Sequence, residues 1–316
     1  MDIELIAFES MGVRSQATFI QTYSANIFID PSAALAPRRF GLPPHIYEAR
    51  KLLEKFDEIE NLVKDSDIVV VTHYHYDHHD PGRFMDPDIY RGKVIYVKDP
   101  VNSINVSQKI RASIFLRIVS DRARTISIAD GRSIELDKTR VNFSHPLPHG
   151  EEDTLGYIIS VCIEDRDNVL LYTSDIEGGP THHHKSLIDF CRKAGIAIVD
   201  GPPTYLLGYR YSDSSFRNSI RFLTDLINLD TLNIIILDHH MCRELDYTSK
   251  IDELLTETIN KGKQITTAAQ FMNIEPVFLE AKRRELFHIE PVDGLNMLSS
   301  RYRISNNDLG SLGDSL

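Results

Sequence analysis

Residues 73 to 80 read HYHYDHHD, which sets His73, His75, Asp77 and His78 within one short stretch directly after the apolar run IVVVT. In an extended chain, residues two apart project to the same side. His73 and His75 can therefore grip one cation, while the turn that follows brings Asp77 and His78 round towards a second. A His/Asp cluster at the end of an apolar strand is costly to bury without a ligand, so a metal site is expected here rather than a solvated loop. One cluster cannot complete two coordination shells, and further donors stand at later strand ends. They are His145 and His149 in NFSHPLPHGEEDTLGY, Asp175 closing NVLLYTSD, and Asp238, His239 and His240 closing NIIILDHH. A carboxylate such as Asp175 can bridge two cations with its two oxygens, which an imidazole cannot.

Other groups carry less. His182, His183 and His184 are contiguous, sit just after Gly-Gly-Pro at an expected helix start, and are left out of the site because adjacent histidines rarely all face one ion. Cys242 reads as a small buried side chain. Arg14, Arg38 and Arg39 lie in Gly/Pro-punctuated loops near early strand ends, where a guanidinium fork could clamp a phosphate or carboxylate.

The elements that must position these groups alternate. IELIAF, TFIQT and NIFID read as short strands, the last ending at Asp30. A helix is expected from Pro44 to Val63, then the strand IVVVTH, the strand KVIYV, a helix from Ser103 to Ile118, and short strands RTISI, SIEL and RVNFS. LGYIISVCIE and NVLLYTS pair as a hairpin across EDRDN. Thereafter helix and strand alternate: Lys185 to Lys193 then IAIV, Ser215 to Ile227 then NIIIL, Glu244 to Ile259 then QITT, with a last helix from about Glu275 to Leu286. The pattern predicts an α/β protein of two packed layers sharing one core, one domain over residues 1–299, and a flexible polar tail over 300–316.

With 316 residues, 42% hydrophobic and 26% charged, the chain has the composition of an ordinary globular protein. Its net charge of -11 argues against broad binding to nucleic acid or anionic membrane through the overall field, so a polyanionic substrate must be met locally. The three cysteines, Cys162, Cys191 and Cys242, are far apart and form no C-x-x-C pair, which predicts no disulfide framework and a reducing compartment. With no signal-like N-terminus and no apolar run long enough to span a bilayer, a cytoplasmic protein is expected.

The order Asp30, HxHxDH, His, Asp, His resembles the motifs of metallo-β-lactamase-fold hydrolases across residues 26 to 240. The runs SMGVRS, APRRFGLPPH, THYHYDHHDP, LPHG, TSDIEGGP and DGPP resemble a mainly archaeal branch of that superfamily, which brings an expectation of fold and metal site but not of substrate. The resemblance implies a four-layer αβ/βα sandwich. It also implies that His73, His75 and a third histidine hold one metal, that Asp77, His78 and a final histidine hold another, and that Asp175 bridges them. Asp30 corresponds to an aspartate that supports ligand histidines from behind. For the third ligand His149 is preferred to His145, because the superfamily often places that histidine shortly before a Gly-aromatic strand start, here Gly156-Tyr157. His239 and His240 are left as equals.

Such a centre implies two divalent ions, zinc by default with manganese or iron admitted, a bridging hydroxide as nucleophile, and Asp77 as the group that orients it or takes its proton. The leading expectation is hydrolysis of a phosphoester or phosphodiester, whether a small molecule, a nucleotide or RNA. Hydrolysis of a thioester, lactone or amide, and iron-dependent redox chemistry on the same fold, stand as alternatives. No protein partner is evident, and a homodimer is the commonest assembly among soluble oligomers.

Overall fold

The computed structural model describes residues 1–303. Six strands, β1 (Asp2–Phe8), β2 (Gln16–Gln21), β3 (Asn26–Ile29), β4 (Ile68–Val71), β5 (Val94–Val97) and β6 (Thr125–Ile128), form one sheet in that order. The chain continues through β7 (Ser133–Leu136), β8 (Thr139–Phe143), the small ladder of β9 (Leu147–Pro148) with β10 (Tyr157–Ile158), then β11 (Val161–Asp165), β12 (Asn168–Tyr172), β13 (Ile196–Val199), β14 (Ile234–Leu237) and β15 (Gln264–Thr266). These build a second sheet ordered β15-β14-β13-β12-β11-β8-β7. Strands β3 to β6 run parallel, as do β12 to β15.

Side chains on successive strand residues point to opposite faces, so a strand buried on both sides must be apolar throughout. In β4, Ile68 and Val70 enter the core between the two sheets, while Val69 and Val71 enter the core beneath the helices. On the other sheet Leu170, Tyr172, Ile198 and Ile236 face the first sheet, and Leu171, Ala197, Ile235 and Leu237 face outward to a third core. Helices α1 (Ile46–Asp65) and α2 (Val106–Val119) cover the first sheet through Leu52, Phe56, Ile59, Ala112 and Phe115. The short α3 (Ser186–Phe190) and the amphipathic α4 (Asp213–Ile227) cover the second through Leu187, Phe222, Leu223 and Leu226. This is a four-layer αβ/βα sandwich of the metallo-β-lactamase type.

Several expectations change in the structure. The helix expected from Glu244 to Ile259 begins only at Tyr247, after a 3-10 turn over Met241–Arg243, and is broken into α5 (Tyr247–Lys250) and α6 (Asp252–Asn260). Ile251 between them leaves the helical conformation, with φ -121 and ψ 20, and is buried in the third core. After α7 (Ala268–Phe271), the helix expected from Glu275 starts only at α8 (Arg283–Ile289). Pro276 disfavours helical backbone at Glu275, and a segment without regular structure runs on to Arg283, which is anchored by Glu48. A further helix, α9 (Leu295–Arg301), packs on α1 and includes Ser300 and Arg301 of the expected tail; residues 304–316 of that tail lie outside the described residues.

Cys162 on β11 and Cys191 at the end of α3 form a disulfide, contrary to the expectation of none, and the cysteine argument for a reducing compartment does not hold. The pairing arises because α3 folds back onto the strand 29 residues earlier in sequence, a contact that spacing alone does not show. Cys242 is free and buried. Among the described residues no helix is long and apolar enough to cross a membrane.

Candidate metal centre

Chemically active side chains collect where the parallel strands of both sheets end, the usual position for a site in open α/β sheets. Asp30 follows β3, His73 to His78 follow β4, Asp175 follows β12, Asp200 follows β13, and Asp238 to His240 follow β14. Asp30, Ser174, Glu177 and His239 all have positive φ, between 35 and 60. Left-handed backbone at non-glycine residues costs about 1–2 kcal/mol each. Its concentration at one place marks a site whose geometry the surrounding packing enforces.

The hub is Asp175 Oδ2. It lies 3.2 Å from His78 Nε2, 3.3 Å from His149 Nε2, 3.4 Å from His239 Nε2, 3.8 Å from His240 Nε2 and 3.9 Å from His73 Nε2. Two groups of possible ligands meet there. His73, His75, His149 and Asp175 form one, Asp77, His78, Asp175 and His239 the other. His145 is exposed and lies outside both. His240 joins Asp175 and Asp200 in a further group, so both rings of the His239-His240 pair turn inward. Asp238 does not: its carboxylate accepts from the backbone N–H groups of Ser10, His239 and Ala268 and holds the strand end together.

Two of the histidines, His78 and His240, are aimed from behind by carboxylates. Asp30 accepts from His78 Nδ1 at 2.8 Å, and also from Thr72 N, Thr72 Oγ1 and the Tyr172 hydroxyl. This leaves Nε2 of His78 pointing at Asp175. Asp200 accepts from His240 Nδ1 at 2.8 Å in the same manner. Gln16 donates to Asp175 Oδ1 at 2.6 Å and so turns Oδ2 towards the imidazoles. Spacing pointed to neither Gln16 nor Asp200. For Asp200 a signal existed: it closes an apolar strand, IAIV, as Asp30, Asp175 and Asp238 close theirs. Gln16 has none, since its role depends on a partner 159 residues away.

The electrostatics match the donor types at His73, His75 and Asp175, with His78 the exception. Burial, with His78 and His75 nearby, pushes His73 well below the ordinary histidine range, and burial with His149 does the same for His75. Both are then neutral, as a ligand imidazole must be. Burial would raise the Asp175 carboxyl, but His78, His239 and His240 outweigh it and hold the group well below the usual carboxylate range. Burial likewise works against a charged His78, yet Asp175 and Asp30 hold it well above its ordinary value. Buried without hydrogen-bond partners are His73 Nε2, His78 Nε2 and both ring nitrogens of His149. Orphaned imidazole nitrogens converging on a shared carboxylate oxygen are what a bound cation satisfies, and the residues present fit one. His239 Nε2 accepts from Arg243 Nη2 at 2.9 Å, so this guanidinium competes with a cation for the nitrogen.

The three arginines expected at the rim differ in fate. Arg14 spends its fork on Glu280, at 2.6 and 2.7 Å, and Arg38 reaches the Gly41 carbonyl of its own loop. Arg39 donates to the Arg243 carbonyl and stacks on Tyr205. Burial and the neighbouring Glu280 push Glu9 up to about 8, while Glu280 is held at about 2 because Arg14 and Arg243 overcome its burial.

His182 and His183 are exposed and away from the site. His184 is buried, accepts from Thr181 through Nδ1 and donates from Nε2 to the Pro148 carbonyl, which steadies the loop that presents His149. Burial lowers His184 to about 4 and His79 to about 3. A histidine kept neutral by the fold is protonated first in the unfolded chain, so stability is present above pH 6.5 and is lost as pH falls towards the folded value. His73 and His75 act in the same direction, while His78 opposes them, and so does Glu9, whose buried carboxyl keeps its proton up to about 8. The contribution of His184 to the stability of the chelator-treated protein is therefore expected to fall by about 2 kcal/mol between pH 7 and 5. Urea midpoints of the unaltered protein and of His184→Gln at the two pH values check this: the gap between them should narrow at pH 5, and an unchanged or wider gap contradicts it.

No family model matches the chain. Curated relatives do. A UPF0282 protein of Saccharolobus solfataricus is 44% identical over 290 residues, which is 91% of this chain and 93% of that protein. UPF0282 proteins of Sulfurisphaera tokodaii and Metallosphaera sedula are 43% and 44% identical over 92% and 91% of this chain and 94% and 93% of theirs. Among solved structures, Zn(2+)-bound PqqB from Methylobacterium extorquens aligns with a TM-score of 0.51 at 10% identity over 84% of this chain and 98% of its own. Unliganded yeast PDE1 aligns with a TM-score of 0.50 at 11% identity over 84% and 96%. At such identities the likeness is one of fold.

Proposed function

The chain belongs to the UPF0282 family and has the metallo-β-lactamase fold, and from that premise we propose that it is a metal-dependent hydrolase with two divalent ions acting on a phosphoester or phosphodiester, nucleotides and RNA included. The observation that carries the reading is the pair of donor groups, His73/His75/His149 and Asp77/His78/His239, that share Asp175. Two divalent ions bound there supply an activated water near neutral pH and polarise the substrate oxygen. The protein's own part is positional. His73, His78 and His239 sit buried while His75 and Asp77 are partly exposed, so the site opens to solvent at His75, Tyr76 and Asp77. Asp77, with Oδ2 3.6 Å from His239 Nε2, is placed there to orient the attacking water or accept its proton. Asp30, Asp200 and Gln16 hold His78, His240 and Asp175 against reorientation during the reaction. Zinc is the first metal to test, given the His/Asp donor set and the Zn(2+)-bound PqqB of the same fold.

Elemental analysis of the purified protein, with a metal-supplemented assay on bis-p-nitrophenyl phosphate beside a thioester and a lactone, tests the proposal. Two zinc or manganese ions per chain and metal-dependent phosphodiester turnover are expected. Turnover of the thioester or lactone alone would remove the phosphoester reading, and iron with redox turnover would remove hydrolysis. Within this reading Asp30→Asn keeps the volume but cannot accept from His78 Nδ1 as a charged group. Metal affinity is then expected to fall about 10–100-fold, measured by competition with a chromophoric chelator. Unchanged affinity would deny Asp30 its positioning role.

A further inference from the structure

Beside the mouth formed by His75, Tyr76 and Asp77, other cations have partners: Arg83, 4.0 Å from the Tyr76 ring centroid, donates to the Tyr302 hydroxyl, and Arg243, at His239, donates to Glu9 and Tyr205. Arg111 has none. It projects from α2, is partly buried, and stacks its guanidinium 4.6 Å from the centroid of the Tyr76 ring. Among the described residues it makes no hydrogen bond and no ion pair. Tyr76 lies between His75 and Asp77 in sequence, and the charge of Arg111 is felt by both of those residues. Burial lowers Arg111 from the ordinary arginine value, as expected of a cation withdrawn from water without a counterion. The nearest carboxylate in electrostatic terms, Asp77, does not approach within ion-pair distance and belongs to the donor set. The Tyr76 ring and the more distant Asp77 offset only part of the cost of withdrawing this guanidinium from water, since no hydrogen-bond acceptor meets its fork. The planar fork is complementary to an oxyanion, and its stacking on Tyr76, within electrostatic reach of His75 and Asp77, places it beside the site.

We infer that Arg111, stacked on Tyr76, is the anion-recognising residue of the site and selects substrates that carry an oxyanionic group, phosphate or carboxylate, beside the bond to be cleaved. The inference rests on the hydrolase reading for what happens to the bound molecule, but the binding itself can be measured without turnover. It also replaces the contact expected from the sequence at Arg14, whose fork is taken up by Glu280, and at Arg38, which is exposed and reaches only the Gly41 carbonyl of its own loop.

The test is calorimetric titration of the zinc-loaded protein with inorganic phosphate and, separately, acetate, with metal content measured on each sample. The variants are Arg111→Met, Arg111→Lys and, as a control for overall charge, Lys109→Met, an exposed residue on the same helix. A charge-assisted hydrogen-bonded contact is worth enough to change affinity by about tenfold to a hundredfold. The expected result is that loss for Arg111→Met with phosphate, with acetate or with both, at unchanged metal content, while Arg111→Lys retains more and Lys109→Met matches the unaltered protein. The probe that weakens identifies the anion class. Equal affinities in Arg111→Met and the unaltered protein, or no binding of either anion by the unaltered protein, would overturn the inference. Arg111-dependent anion binding without hydrolysis would leave it standing and count against the hydrolase reading alone.

Discussion

Asp175→Ala is expected to abolish metal binding at both donor groups and to lower phosphodiester turnover by about a thousandfold or more, since a metal centre supplies several kcal/mol of transition-state stabilisation. The size follows from geometry. One oxygen, Oδ2, lies within 3.2 to 3.9 Å of five imidazole nitrogens, and the two ligand groups have no other member in common. Removing it takes a ligand from both groups at once and leaves the histidines facing one another with nothing to hold a charge between them. The more conservative Asp175→Asn retains an acceptor for Gln16 but loses the negative charge, so it should also fail to hold two ions. Elemental analysis and turnover on the same samples decide the matter. A variant that keeps both metals would show that Asp175 is not the shared ligand.

The largest effect on stability is expected from Arg283→Met. Arg283 is fully buried and donates to both carboxylate oxygens of Glu48 at 2.7 Å, to the Leu42 carbonyl at 3.1 Å and to the Ala36 carbonyl at 3.0 Å. It thus ties the start of α8 to the first turn of α1 and to the loop that carries Arg38 and Arg39. Glu48 also accepts from His45 N, closing the capping box of α1. Without its partner, Glu48 is a buried carboxylate whose burial already raises its pKa from the ordinary value. Breaking such a pair from one side costs about 3–5 kcal/mol, because the remaining charge is left desolvated. Denaturant midpoints should show that loss. The double variant Arg283→Met with Glu48→Gln should recover part of it, as an amide is cheaper to bury and still accepts at the helix start. A midpoint unchanged in Arg283→Met would mean that water reaches the pair.

Much of the centre was legible because its information is local. The alternation of a strand places His73 and His75 on one side, and an apolar run ending in Asp or His marks a strand end. The period of α1 and α4 is visible in Leu52, Phe56 and Ile59 and in Phe222, Leu223 and Leu226. Those features depend on residues within a turn or a strand of one another, and the sequence by itself determined them. The rest needed the two sheets to be stacked. Whether His145 or His149 enters the site depends on how the loop after β9 is braced by His184, and that both His239 and His240 turn inward depends on Asp200 from the neighbouring strand. Gln16 meets Asp175, and Arg14 is drawn to Glu280 266 residues away, only because distant segments are packed together. The Cys162–Cys191 bond and the break at Ile251 are of the same kind. Local spacing encodes which groups a segment can present, whereas which of them meet is set by long-range packing of layers, where burial leaves each polar group dependent on a partner that no short stretch of sequence contains.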